Sequence, residues 1–180
     1  MEIFYAMYND PTPHQDPAVF RRANFQDMHH VWRIVYHAYR EYIPLLGRTP
    51  PTFLEDFDNH VALGNLWLFN KGDDVVGMVV LTPMLDHVLL QVLCVDPSMQ
   101  GRGLGQQLLA FAERQTRMLS FGEMRLYTNS LMSRNLKIYR RWGFRKTHVE
   151  EYGWGQKVHM RKQLAQRIKS RSTGAVLTTA

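Results

Sequence analysis

The sequence predicts a mixed α/β domain built on one central sheet of about six to seven strands flanked by about four helices. Three observations lead there. Apolar residues recur at 3- and 4-residue steps early in the chain, then condense into short runs bounded by turn residues. Three alternate glycines, Gly101, Gly103 and Gly105, join a strand to an amphipathic helix. A chain of 180 residues that is 45% hydrophobic suffices for one buried core and is too short for two comfortable domains. The order of elements is strand, two helices, three strands, helix, strand, helix, two strands, which belongs to an α/β class with a single sheet.

Residues 1–17 hold Pro11, Pro13 and Pro17 and read as an irregular extension. A short strand over 18–22 follows. Asn24 is placed to cap a helix over 25–40, in which Met28, Trp32, Val35 and Tyr39 share one face. Pro44, Gly47, Pro50 and Pro51 interrupt the chain before a second helix over 52–63, stopped by Gly64. Strands are expected over 66–69 and 75–81 around a turn at Lys71-Gly72-Asp73. A third, over 87–95, ends at Asp96-Pro97. The glycine turn opens a helix to about residue 120, with Leu104, Leu108, Phe111 and Met118 as core positions. A strand over 125–128, a helix over 133–142 stopped at Gly143, and an antiparallel pair over 144–149 and 157–161 complete the domain, which spans 18–163. Residues 164–180 read as a basic tail that frays. There is no internal repeat.

Composition excludes several classes. The single cysteine, Cys94, rules out an intramolecular disulfide framework and a cysteine-rich zinc site. The histidines, His29 and His30 among them, show no ligand spacing that demands a metal. No apolar run approaches the roughly 20 residues of a membrane span, and no basic, then apolar, N-terminal signal is present. The expectation is a reduced, soluble, cytoplasmic protein. Its net charge of +6 is unevenly spread: residues 1–120 carry 9 Lys/Arg against 13 Asp/Glu, and residues 121–180 carry 13 against 3. A basic C-terminal third suits nucleic acid, an acidic surface or a phosphorylated small ligand. No zinc-finger, bZIP or RNP1 string accompanies the charge, so nucleic acid is disfavoured.

The most informative string runs from Val95 through Gln100-Gly-Arg-Gly-Leu-Gly105 to Leu109. Free amides at a helix N-terminus point outward, and the helix dipole adds partial positive charge, so this turn suits an anion. Walker A would need Lys-Ser or Lys-Thr after the last glycine, and the dinucleotide fingerprint has G-x-G-x-x-G spacing. Neither is present. A tight turn without a ligand is the bland alternative.

Gln100-Gly-Arg-Gly-Leu-Gly105, preceded by Leu-Cys-Val-Asp-Pro, resembles the Q/R-x-x-G-x-G/A loop of GCN5-related N-acetyltransferases (GNAT), of the small bacterial type. Downstream, Leu126-Tyr-Thr-Asn, Asn135-Leu-Lys-Ile-Tyr139 and Trp142-Gly-Phe144 resemble the family's next strand and its N-x-x-x-Y…G-F helix. Upstream, Tyr39-Arg-Glu-Tyr-Ile resembles acceptor-side helices. The match spans about residues 18–163.

The resemblance implies a sheet splayed between its fourth and fifth strands, with acetyl-CoA as co-substrate and no metal. The pantetheine arm would pair with main-chain groups of Leu93, Cys94 and Val95. The diphosphate would sit on the amides of Gln100, Gly101, Arg102, Gly103, Leu104 and Gly105, with the Arg102 side chain adding a contact. Asn135 would bind pantetheine or fix the loop. Tyr139 would protonate the departing thiolate, and Asn135 and Tyr139, four residues apart, share a helix face. Arg134, Lys137, Arg140 and Arg141 would screen the cofactor's phosphates.

The pattern departs from the family where many relatives carry a basic glutamate. The matching positions here are Leu89 and Gln91, and neither is a base. Strand alternation puts His87, Leu89, Gln91 and Leu93 on one side and Cys94 on the other. Gln91 would hold a water that relays the proton. His87 has a suitable intrinsic pKa but stands near the sheet edge. Relatives also often have acidic residues at the positions of Ser130 and Arg134. The acceptor side would be the N-terminal helices, with Tyr39, Glu41 and Tyr42 as substrate contacts. Glu55, Asp56 and Asp58 stand nearby, among Trp32, Tyr36 and Phe53. The reading is an N-acetyltransferase acting on a primary amine, small molecule or peptide, by direct attack through a tetrahedral intermediate. The alternative is a catalytically weak or inactive acyl-CoA-binding module, suggested by the missing carboxylate. A homodimer is left open.

Overall fold

In the computed structural model, residues 19–153 and 155–165 are described. The expected extension, residues 1–17, and the tail beyond residue 165 lie outside them. Seven strands form one sheet: β1 (Val19–Arg22), β2 (Leu66–Lys71), β3 (Asp74–Pro83), β4 (Val88–Val95), β5 (Glu123–Asn129), β6 (Arg145–Tyr152) and β7 (Gly155–Gln163). Their order is β1-β2-β3-β4-β5-β7-β6. All neighbours are antiparallel except β4 and β5, which are parallel and pair only at Val88↔Met124 and Leu89↔Arg125.

That short pairing creates the functional feature of the fold. Beyond Leu89, β4 stays bonded to β3 and β5 stays bonded to β7 as far as Asn129, but the two strands separate from each other. The register of β4 also slips by one residue: Val80 faces Val92 while Leu81 faces Leu90, so Gln91 is the extra residue of a bulge. A bulge bends its strand and raises the local twist, which carries β4 away from β5. Main-chain groups of Leu90–Val95 on the gap side therefore lack a strand partner, and such groups need one from elsewhere.

Helices cover the sheet unequally. α1 (Met28–Tyr39) and α3 (Phe57–Ala62) lie on one face, α4 (Leu104–Met118) and α5 (Ser133–Arg141) on the other, and α2 (Tyr42–Leu46) follows α1 without entering either core. The first core gathers Val31, Ile34, Val35, Phe57, Met78, Val80, Val92 and Cys94. The second gathers Val79, Leu81, Leu108, Phe111, Met124, Phe144 and Met160. No helix among the described residues is long and apolar enough to cross a membrane.

Several elements differ from the sequence expectation. Asn24 does cap, accepting from the Gln26 amide at 2.8 Å, but it starts a 3-10 turn, Phe25–Asp27, ahead of α1. The buried face of α1 is Val31, Ile34 and Val35, whereas Trp32 is 39% exposed and rests edge-on against Phe57 at 5.1 Å. Branched aliphatics fit the sheet surface, and the larger indole is left at its rim. Met118 is exposed because the last turn of α4 clears the sheet. The helix expected over 52–63 splits into a 3-10 turn, Pro51–Leu54, and α3, because Asp56 accepts from the Asn59 amide and caps a new start. A fifth helix, α2, forms despite Pro44, which sits in its first turn where no amide donor is needed.

The entry of the chain into α1 is held by an ion pair, Arg21 Nη2 to Asp27 Oδ1 at 2.7 Å. The Arg21 guanidinium, aided by the Asn24 amide, holds the Asp27 carboxyl below its usual value against the opposing effect of burial. A depressed carboxyl contributes stability that is complete above the unfolded value of about 3.9 and lost as pH falls through the folded one. Urea unfolding from pH 7 to 2 should therefore show Asp27→Asn less stable than wild type at neutrality, with the two curves converging at the acid end. Parallel curves would contradict this account of the pair.

Candidate active site

At the open end of the gap, the chain leaves β4 and makes the glycine turn. Asp96 anchors it. Its Oδ1 accepts from the Ser98 amide and hydroxyl, and its Oδ2 accepts from Arg33 Nη1 at 2.7 Å. Burial raises the Asp96 carboxyl, but Ser98 and Arg33 outweigh that and hold it below its usual value. Gly101 and Gly103 both have φ of 77°, a left-handed conformation that glycine adopts without strain, and a Cβ at either would meet open space. Gly105 serves differently: a Cβ there would lie 3.1 Å from the Trp142 ring, so its small size lets α4 pack close to that indole. The Gly103 carbonyl accepts from the amides of Gln106 and Gln107. Among the described residues, the amides of Gly101 to Gly105 donate to no backbone carbonyl. The Gln100 amide is used within the turn, and its side chain ties the Val95 carbonyl, at 3.2 Å, to Arg134, at 3.1 Å.

This turn borders a cleft of about 880 Å³ walled by the end of β4, α5 and the α1–α2 segment. Leu93, Cys94, Val95, Gln100, Gly101, Gly103, Leu104, Gly105, Asn135 and Tyr139 line it, and so do Tyr39, Glu41 and Tyr42. Lys137, Arg140 and Arg141 border the same cleft from α5. Arg102 is exposed and is not part of that lining. Two links cross from α2 to α5: the Tyr42 hydroxyl donates to Asn135 Oδ1 at 3.2 Å, and Arg134 approaches Glu41 at 4.0 Å.

Tyr139 is half-buried, its ring 6.0 Å from those of Trp142 and Phe144. Burial raises its phenol well above the ordinary value, and nearby Cys94 and Tyr42 add to that. It therefore keeps its proton at neutral pH. Burial likewise pushes the Cys94 thiol up to about 12, opposed by the Tyr39 hydroxyl. Cys94 is thus a protonated core thiol, and only thiolates are effective nucleophiles.

The inner end of the gap carries a second cluster. Gln91 Nε2 donates to Glu55 Oε1 at 2.6 Å, and Gln91 Oε1 accepts from the Thr82 hydroxyl at 2.9 Å. His60 Nε2 lies 2.9 Å from the same Glu55 oxygen. Across the gap, burial first and then the charges of Glu55 and Glu150 raise the Tyr127 phenol. Sequence reasoning placed Gln91 and Cys94 on opposite sides of β4. The bulge breaks that alternation, and both side chains face the N-terminal helices. His87 stands just before β4 at the paired end, its Nδ1 2.6 Å from Asp86.

With this geometry in view, a family model described as an acetyltransferase (GNAT) domain matches residues 62–146, from α3 through the glycine turn to the start of β6. Residues 62–146, just under half of the chain, are thus similar to a GNAT acetyltransferase domain. Solved GNAT structures share its fold at low identity. The PaiA N-acetyltransferase of Thermoplasma acidophilum, in complex with coenzyme A, aligns with a TM-score of 0.69 and 16% identity over 82% of this chain and 99% of that one. Ard1 of Thermoplasma volcanium gives 0.67 and 16% over 83% and 99%. The ribosomal-protein-S18-alanine N-acetyltransferase of Escherichia coli gives 0.66 and 14% over 86% and 98%. No curated protein matches the sequence.

Set in the GNAT fold, the expected residues divide into two groups. Those named for the cofactor line one cleft, apart from Arg102. Tyr39, Glu41 and Tyr42, expected at the acceptor, line the same cleft opposite α5. Gln91 lies outside its lining, beside Glu55 and His60. A carboxylate, that of Glu55, therefore stands beside the β4 position where the strand itself offers none.

Proposed function

We propose that the protein transfers acetyl from acetyl-CoA to a primary amine by direct attack on the thioester. The observation that carries this reading is the unpaired rim of β4, which runs from a turn of free amides at one end to a carboxylate at the other. A coenzyme A diphosphate suits the amides of Gly101 to Gly105, where hydrogen bonds and helix dipole act together. The pantetheine amides suit the main chain of Leu93, Cys94 and Val95, replacing the strand that β5 does not supply. Two of the solved relatives support this: the Thermoplasma acidophilum protein above is a complex with coenzyme A, and a GNAT acetyltransferase of Elizabethkingia anophelis has acetyl-CoA bound.

In this mechanism the amine attacks the carbonyl carbon, a β4 amide near Val95 stabilises the tetrahedral oxyanion, and Tyr139 protonates the leaving sulfur. Asn135 holds the pantetheine side of the cleft. Cys94, as a buried protonated thiol, takes no acetyl group. Thiol release from acetyl-CoA, assayed against spermidine, tyramine, lysine and an alanine-initiated tetrapeptide, tests the reading. Release that depends on at least one amine is expected. Tight acetyl-CoA binding without release on any amine would instead identify an acyl-CoA-binding module.

A further inference from the structure

We infer that Glu55 is the group that takes the proton from the acceptor ammonium, receiving it on Oε2. The inference rests on acetyl transfer at the β4 gap. An ammonium has no lone pair, so it must lose a proton before it attacks the thioester, and near pH 7 a base beside the carbonyl speeds that loss. No residue of β4 supplies one, since positions 89 and 91 are Leu and Gln. Glu55 comes from the segment between the 3-10 turn and α3, and the bulge is what brings the two together. Gln91 is the extra residue of β4 just past its last pair with β5, and its amide donates to Glu55.

The carboxylate is oriented from two directions. Gln91 and His60 both engage Oε1, and among the described residues Oε2 has no hydrogen-bond partner. The Glu55 side chain is 21% exposed, so Oε2 is reachable from solvent, while His60 is buried. Among the described residues, the buried His60 Nδ1 has no hydrogen-bond partner, so Glu55 Oε1 is the ring's one polar contact there. From that buried position His60 Nε2 steadies the carboxylate through Oε1. Among the described residues, Glu55 faces the ionisable groups of His60 from α3 and Tyr127 from β5, with Asp56 beside it in the chain and committed to the α3 cap. Other carboxylates are engaged elsewhere: Asp86 with Arg125, Glu41 near Arg134, Glu150 with His159 and Lys157. Gln91 is two residues from Leu93, about 7 Å along the strand. The amine thus approaches from the end of the gap opposite to the glycine turn.

The step balances. The ammonium gives one proton to Glu55 and regains a lone pair, and nitrogen bonds to the carbonyl carbon. The C–S bond breaks with its electrons on sulfur, which takes the Tyr139 proton. The second proton from nitrogen restores the phenol, and Glu55 releases one proton to solvent. His60 is a positioning residue.

Glu55→Gln tests the assignment because the amide keeps an oxygen for the two N–H donors but is not a base. Thiol release would be followed from pH 6 to 10 with the best of the four amines named above, alongside calorimetry with acetyl-CoA. Expected are an acetyl-CoA affinity within about twofold of wild type and a kcat/KM for the amine about 100-fold lower at pH 7. That deficit should shrink as pH approaches the amine's own pKa and free amine forms unaided. Glu55→Asp should keep the wild-type profile at a lower rate. A Glu55→Gln profile equal to wild type, or lowered by the same factor at every pH, overturns the assignment and leaves the acetyl-CoA reading standing. Wild-type protein that gives no heat with acetyl-CoA and no thiol release overturns both.

Discussion

Tyr139→Phe should lower kcat about 100-fold while moving acetyl-CoA affinity less than about twofold. The substitution removes one hydroxyl and keeps the ring that packs against Trp142 and Phe144. Fold and cleft shape are therefore retained, and the loss falls on the step in which sulfur needs a proton. Burial holds the phenol protonated well above its ordinary range, so wild-type turnover should show no loss attributable to this group up to about pH 10. Steady-state kinetics with calorimetry in parallel separates the two effects. Unchanged turnover would remove Tyr139 from the mechanism.

Gly103→Val should weaken acetyl-CoA binding about tenfold or more, whereas Gly103→Asn should bind nearly as wild type does. Both side chains have room, since a Cβ at Gly103 meets nothing within 4 Å. What separates them is the backbone. At φ of 77° an L residue is strained by roughly 1–2 kcal/mol, a β-branched one by more, and Asn tolerates the region best. About 1.4 kcal/mol is a factor of ten in affinity. A valine drives the turn out of the shape that presents its amides, with little effect on the core. Calorimetry, with thermal unfolding as the check on folding, measures both. Equal affinities for Val, Asn and Gly would show that the turn's conformation does not matter to binding.

The shape of the glycine turn and the shared α5 face of Asn135 and Tyr139 were legible in the sequence because they are local: a strand end, a left-handed turn and a four-residue helical step are written in adjacent residues. The expected strands formed for the same reason, as short branched runs bounded by turn residues. The roll of α1 was not legible. Met28, Trp32, Val35 and Tyr39 make as good a stripe as Val31, Ile34 and Val35, and only packing against β3 and β4 chooses between them. The bulge at Gln91 is a register event between two strands, and nothing in the sequence of β4 announces it. Its consequence, the approach of Glu55, joins residues 36 apart. Glu55 was visible as one acid among several in the N-terminal region, without any sign that it would meet the gap. Asp56 as a mid-segment cap was the one local signal available, since a cap there starts α3 late and leaves Glu55 in the connecting segment.

The central claim is that the amides from Gly101 to Gly105, unpaired where the chain turns into α4, hold the diphosphate of coenzyme A. Titrating isotope-labelled protein with coenzyme A and following each amide by NMR tests it most directly. The account expects the resonances of Gly101, Arg102, Gly103, Leu104 and Gly105 to move the most and to saturate together with those of Leu93 to Val95. Saturating coenzyme A that leaves the five turn amides unmoved would contradict it.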